Sequence, residues 1–249
     1  MSLRLHRDEA PGLHRIEDGY TNWYLIQDGT RLTVVDTGHP ASWRSLHQAL
    51  NALGRSPGDI EAVVLTHAHF DHMGFAQRAR LDLGVDLWAH ELEVAVVAHP
   101  WRFDHERSRA LYARYPRFLV IFTSMAANGA LGVRGATDVL TYTPGAELDV
   151  PGRPRVVFTP GHTHGHCSLH LPDRGAVIAG DAFVTLNPYT GGRGPQIVAG
   201  AATADSPRAL ASLDALAGLD ADTALIGHGE AWRGNLGEAV AQAQAAGPS

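Results

Sequence analysis

Within one short stretch, His67-Ala68-His69-Phe70-Asp71-His72, the chain sets three imidazoles and a carboxylate side by side. Imidazole nitrogen and carboxylate oxygen are the donors that a borderline divalent ion such as zinc prefers. A shuffled chain of this composition, with its 15 histidines, would contain the pattern roughly four times in a thousand, so the spacing is a signal. A tight loop can aim residues i, i+2, i+4 and i+5 into one pocket. A second ion needs donors from elsewhere, and the chain offers His162, Asp181 and His228, each just after a glycine.

Such donors need a frame. Residues 22–27 and 31–36 are short apolar runs split by Asp28-Gly29, a hairpin signal. Residues 42–53 have helical spacing, with Gly54 as a stop. Residues 61–65 read as a buried strand running straight into His67, followed by a helix over 74–83 and a strand over 86–89. The second half repeats the logic: strands over 155–159, 168–171, 176–179 and 223–226, helices over 207–216 and 236–246. Four strands thus end in loops whose first polar residues are histidine or aspartate, and in sheet proteins flanked by helices ligands collect at strand ends. Between the halves, at about 91–144, lies a segment mostly helical in pattern and rich in aromatics and arginine. It reads as an insertion covering the site within a single domain spanning 1–249, either a lid or a dimer interface.

Thr66-His67-Ala68-His69-Phe70-Asp71-His72-Met73-Gly74 resembles the signature of the metallo-β-lactamase superfamily. Gly161-His162-Thr163-His164-Gly165-His166, Gly180-Asp181 and Gly227-His228-Gly229 resemble its remaining metal motifs, and Val35-Asp36-Thr37-Gly38 its early structural turn. The resemblance runs from about Asn22 to Gly229, the insertion apart. It implies an α/β fold, an αββα four-layer sandwich with metals at one edge of two facing sheets. It also implies two divalent ions, zinc first, with manganese and iron as alternatives. By motif, the first would take His67, His69 and His162, the second Asp71, His72 and His228, and Asp181 would bridge them. A hydroxide held between the ions would attack, with Asp71 as the catalytic residue orienting it and passing on its proton. His164 and His166 lie close enough to rival His162; the family's spacing favours His162.

The resemblance implies hydrolysis of an ester-like bond: a lactone, thioester or ester. The bridging Asp181 is similar to the glyoxalase II and lactonase branches and unlike true β-lactamases. Arg233 is the only basic residue after His228, which weakens a glutathione thioester as substrate. The main alternative is a persulfide dioxygenase-like oxidoreductase with one iron; a non-catalytic metal-binding protein is a further one. The family's diiron redox branch has glutamate where this chain has His69. Tyr189, in a Gly- and Pro-rich loop, and His164 are candidate substrate contacts; for Tyr189, packing on its neighbours is an equal alternative.

Composition narrows the partners. All 20 basic residues are arginine, which excludes a Schiff-base or catalytic lysine. The net charge of -6 offers no broad basic field for nucleic acid. A small-molecule substrate is expected, with neither nucleic acid nor membrane as partner, and a homodimer is left open. The single cysteine, Cys167, excludes an intramolecular disulfide, and the charged first ten residues lack an apolar run, so a cytoplasmic location is expected.

Overall fold

The computed structural model describes residues 3–249. It begins with four antiparallel strands: β1 (Leu5–Ala10), β2 (Leu13–Asp18), β3 (Thr21–Asp28) and β4 (Arg31–Val35). Three more join in parallel, β5 (Ile60–Val64), β6 (Asp86–His90) and β7 (Leu140–Tyr142), giving a seven-stranded sheet in sequence order. Next come β8 (Arg155–Phe158), β9 (Cys167–Leu171) and β10 (Ala176–Gly180), then a separate ribbon of β11 (Val184–Leu186) and β12 (Arg193–Gln196). The last two strands, β13 (Thr223–Ile226) and β14 (Trp232–Arg233), complete a second sheet of order β14-β13-β10-β9-β8.

Side chains alternate across a strand, so each strand can feed two cores. In β3, Trp23 and Leu25 pack outward, with Leu32 and Val34 of β4, against helix α1 (Ser42–Leu53) and helix α2 (Ala76–Leu83). Tyr24 and Ile26 point the other way and meet Leu169, Ala176 and Ile178 of the second sheet. From β10, Val177 and Ala179 face outward again, with helices filling that layer. Two helices precede that layer in the chain: α3 (Val94–Ala98) and α4 (Pro116–Ala127). The layer itself holds α5 (Ser206–Ser212), α6 (Asp214–Ala217) and α7 (Leu236–Ala246), through Leu213, Leu216, Ala239 and Val240. The result is the expected αββα sandwich, with the central strands of both sheets buried on both faces.

Several elements differ from the sequence expectations. β1 and β2 are missing from them because their sequences, LHRDEA and LHRIED, are dominated by charge. β2 nonetheless buries Arg15, whose guanidinium pairs with Glu9 at 2.8 Å and Glu230 at 2.6 Å. The helix expected over 207–216 is two short helices broken at Leu213. The segment expected to be helical to about 144 is less regular. Pro100 interrupts the pattern, residues 99–108 form turns and extended chain, and Leu140–Tyr142 is the edge strand β7. What this segment does build is a fourth apolar cluster, in which Phe103, Tyr112, Ile121 and Met125 pack on Phe70, Tyr189 and Val198. Among the described residues, no helix is long and apolar enough to cross a membrane.

Trp23 locks the outer layer. It is fully buried, packs edge-on to Phe75 at 5.3 Å, and donates its indole N–H to Asp18 at 3.0 Å. Trp23→Ala should therefore cost about 3–5 kcal/mol in urea unfolding; a loss below about 1 kcal/mol would show that this layer contributes little.

Candidate metal centre

Five chain ends meet at one edge of the sandwich. The loop after β5 carries His67, His69, Asp71 and His72, the loop after β8 carries His162, the turn after β10 carries Asp181, and the turn after β13 carries His228. The turn after β4 brings Asp36 beneath them. All seven donor residues named from the sequence are buried. One donor atom from each of His67, His69 and His162 lies within 4.8 Å of the others, and the same holds for Asp71, His72 and His228. Asp181 lies between the two groups: its Oδ2 is 3.3 Å from Nε2 of His162, 3.3 Å from Nε2 of His228 and 3.8 Å from Nε2 of His72.

Four of the five rings are aimed by their other nitrogen. His72 Nδ1 donates to Asp36 Oδ2 at 3.0 Å. Asp36 also accepts from the Thr66 amide at 2.8 Å and the Thr66 hydroxyl at 2.9 Å, so the Thr66 oxygen is left to accept from His67 Nδ1 at 3.0 Å. Thr203 likewise donates to the Val198 carbonyl at 2.7 Å and accepts from His162 Nδ1 at 3.4 Å. His228 Nδ1 donates to the Tyr20 carbonyl at 2.7 Å. Each of these bonds puts a proton on Nδ1 and leaves Nε2 to carry the lone pair whenever the ring is neutral.

Among the described residues, most of those lone pairs have no partner. Nε2 of His67, His69, His72 and His162, and Oδ1 of Asp181, are buried without a hydrogen bond. Buried polar atoms in folded proteins are mostly paired, and five of the ten orphans among the described residues converge here, which fits a cation. His166 shows the contrast. Its Nε2 accepts from the Asp181 amide at 3.0 Å, and its Nδ1 donates to Thr159 at 2.9 Å, which continues through Ser168 to the Ala179 carbonyl. With both nitrogens engaged, His166 positions the Asp181 turn and has no lone pair to give. Gly227 leaves room for the same turn, since a Cβ there would lie 1.9 Å from Asp181 Oδ1.

Charge separates the two clusters. Burial and repulsion from neighbouring imidazoles hold His67 and His69 well below the ordinary imidazole range, and burial holds His162 at about 3. At His72 and His228 burial also opposes the charged form, but the carboxylates of Asp181 and Asp71 outweigh it and raise both. Burial pushes Asp71 and Asp181 up, and the imidazoles around them more than reverse this, holding both below the carboxylate range.

Five of the donors, His69, Asp71, His162, Asp181 and His228, floor a small pocket whose walls include Phe70, Phe103, Ile121, Phe122, Met125 and Val198. Among the described residues, no arginine lines it. Tyr189 does, stacked on Phe118 at 5.7 Å, with its loop fixed by Asn187, which accepts from the Tyr189 amide at 3.1 Å. Burial raises the Tyr189 hydroxyl above its ordinary range, so it stays a donor. His164 is not in the cavity wall; it is half-exposed, 3.1 Å from Asp104. Asp36 entered the sequence reading only through its turn and Thr66 only as the first residue of its motif, and the orienting hydroxyls of Thr159 and Thr203 not at all. Thr66, directly before the first histidine, is the one of these a local pattern could have flagged.

The chain belongs to the metallo-beta-lactamase superfamily, whose family profile matches residues 16–228. It is 26% identical over 239 residues to the probable metallo-hydrolase YflN of Bacillus subtilis (strain 168), covering 89% of this chain and 85% of that one. It is 28% identical over 177 residues to a hydroxyacylglutathione hydrolase of Gloeobacter violaceus, covering 69% of this chain and 51% of that enzyme. The crystal structure of the metallo-beta-lactamase family protein TTHA1429 from Thermus thermophilus superposes with a TM-score of 0.71 at 27% identity, over 95% of this chain and 79% of that one.

Two outcomes follow from this geometry. Zinc loading of the Asp71–His72–His228 cluster should release protons near pH 7, because His72 and His228 are raised, and its affinity should rise with pH. Loading of His67, His69 and His162 should release none, since these rings are already neutral. Calorimetry in two buffers of different protonation enthalpy reads both steps; equal proton release would contradict the assigned charges. Gly227→Ala should at least halve the zinc retained per chain while circular dichroism stays unchanged; full retention would mean the Asp181 turn tolerates displacement.

Proposed function

We propose that this protein is a two-metal hydrolase that cleaves an ester-like bond, in a lactone, thioester or ester, next to an apolar acyl group. The observation that carries the reading is the cavity: orphaned imidazole nitrogens and a carboxylate form its floor, and aromatic and aliphatic side chains form its walls. His67, His69 and His162 would hold one ion, Asp71, His72 and His228 the other, and Asp181 would contact both. The donor set suits zinc, with manganese or iron as alternatives. The bound ions would supply Lewis-acid polarisation and a water acidic enough to be deprotonated near neutral pH.

The chain's own residues do the rest. Asp71, kept ionised by the surrounding imidazoles, orients the attacking water and takes up its proton. Tyr189, kept protonated by burial, donates a hydrogen bond to the substrate's carbonyl or leaving oxygen. Phe70, Phe103 and Phe122 seat the acyl group and exclude bulk water. The likeness to a hydroxyacylglutathione hydrolase supports ester-type chemistry. The net charge of -6 favours a small-molecule substrate over nucleic acid.

Elemental analysis of gently purified protein should give about two zinc or manganese ions per chain; close to one iron would move the assignment to sulfur oxidation. With metal loaded, kcat/KM across a series of straight-chain acyl esters and lactones should rise roughly fourfold per methylene, about 0.8 kcal/mol, until the cavity is full. Asp71→Ala should lower kcat by about 10²–10⁴-fold. No turnover on any lactone, thioester or ester would sink the proposal.

A further inference from the structure

Glu93 is a buried carboxylate that belongs to neither cluster. It lies in the 3-10 turn Glu91–Glu93 at the end of β6, the strand beside the one that feeds His67, and is 1% exposed. Among the described residues, no arginine or histidine pairs with it. Its Oε2 accepts from the Ala68 amide at 2.8 Å, and its Oε1 accepts from the Gly165 amide at 2.9 Å. Ala68 stands between His67 and His69, and Gly165 three residues after His162. The two oxygens therefore span the two loops that carry the first cluster, and neither touches Asp71, His72 or His228.

The fold commits space to this contact. A Cβ on Gly165 would lie 2.8 Å from Glu93 Oε1 and 2.9 Å from its Cγ, so only glycine admits the carboxylate here. The loops already meet lower down, where the Cys167 amide donates to the Thr66 carbonyl at 2.9 Å. Glu93 adds a second crossing nearer the tips and fixes how far the tips stand apart. Burying an uncompensated carboxylate is costly, and two amide donors on its two oxygens offset that cost. Only a carboxylate fits, because both partners are donors and an amide side chain offers a single acceptor oxygen.

We infer that Glu93 is a positioning residue for the first cluster, a strut that sets the separation of His67 and His69 from His162 and so selectively tunes the zinc affinity of that cluster. The inference rests on the two-metal reading above. It assigns Glu93 no contact with substrate or metal.

The test isolates each cluster. Metal-free full-length protein is titrated with zinc against a chromophoric chelator in two backgrounds: His228→Ala, which leaves the first cluster intact, and His162→Ala, which leaves the second. Glu93→Gln should weaken zinc binding about 10–100-fold in the first background and change it less than about threefold in the second. Glu93→Asp, which keeps the charge but is too short to reach both loops, should show the same selectivity and covers the case in which the glutamine variant folds poorly. Equal loss in both backgrounds, tracking a lower unfolding midpoint of the metal-free protein, would reduce Glu93 to a structural residue and overturn the inference. Unchanged affinity in both would overturn it as well. Zinc failing to bind either background with Glu93 intact would overturn the metal reading, and this inference with it.

Discussion

Lone pairs from four buried imidazoles converge on one small volume, and the rest of the molecule is arranged around that unfavourable fact. Buried rings with unpaired nitrogens lack a partner, so their orientation must be held from behind. For His72, His67 and His162 the holding is done by the opposite nitrogen, through Asp36, Thr66 and Thr203, and the Tyr20 carbonyl holds His228 in the same way. Side-chain partners are themselves fixed by a second bond, as Asp36 is by the Thr66 amide and hydroxyl. Chains of this kind fix the tautomer and the ring orientation together.

The donors come from both sheets, so the centre also depends on how the sheets meet. The turn carrying His228 belongs to the second sheet but is gripped by the first. The Asn22 amide donates to the Gly227 carbonyl at 2.7 Å, the Tyr24 hydroxyl to the Ile226 carbonyl at 2.6 Å, and Arg15 to the Gly229 carbonyl at 3.1 Å. The buried guanidinium in a strand that looked too charged to be one thus has a use. It ties the N-terminal hairpin to the last donor turn, more than 200 residues away.

Sequence alone exposed the parts of this arrangement that are local. Short apolar runs leading into a donor residue, with a glycine just before it after β8, β10 and β13, marked these strands and β5, because a doubly buried strand cannot disguise its apolar character. The donors were legible for the same reason: chemistry-bearing residues at strand ends have no structural excuse. What stayed hidden was tertiary. Nothing in LHRDEA announces an edge strand, since its side chains are solvated and its backbone partners lie elsewhere. His166 looks as eligible as His162 until the amide of Asp181 is seen to occupy its Nε2. Glu93 sits in a helical-looking stretch of glutamates, and only the folded chain brings Ala68 and Gly165 to its two oxygens. The segment after it was legible only in part: α4 forms and turns Ile121 and Met125 to the cavity, whereas residues 99–108 are irregular.

That segment has a consequence for how such a protein diversifies. All seven donors lie outside residues 94–139, whereas Phe103, Ile121, Phe122 and Met125 lie inside. Exchange of the segment by recombination or insertion would therefore replace part of the wall, leaving Phe70, Tyr189, Val198 and the floor as they are. The boundary of that freedom falls just after Glu93. A transplanted segment beginning after Glu93 would keep the two amides tethered, and one beginning before it would carry the burden of replacing the tether.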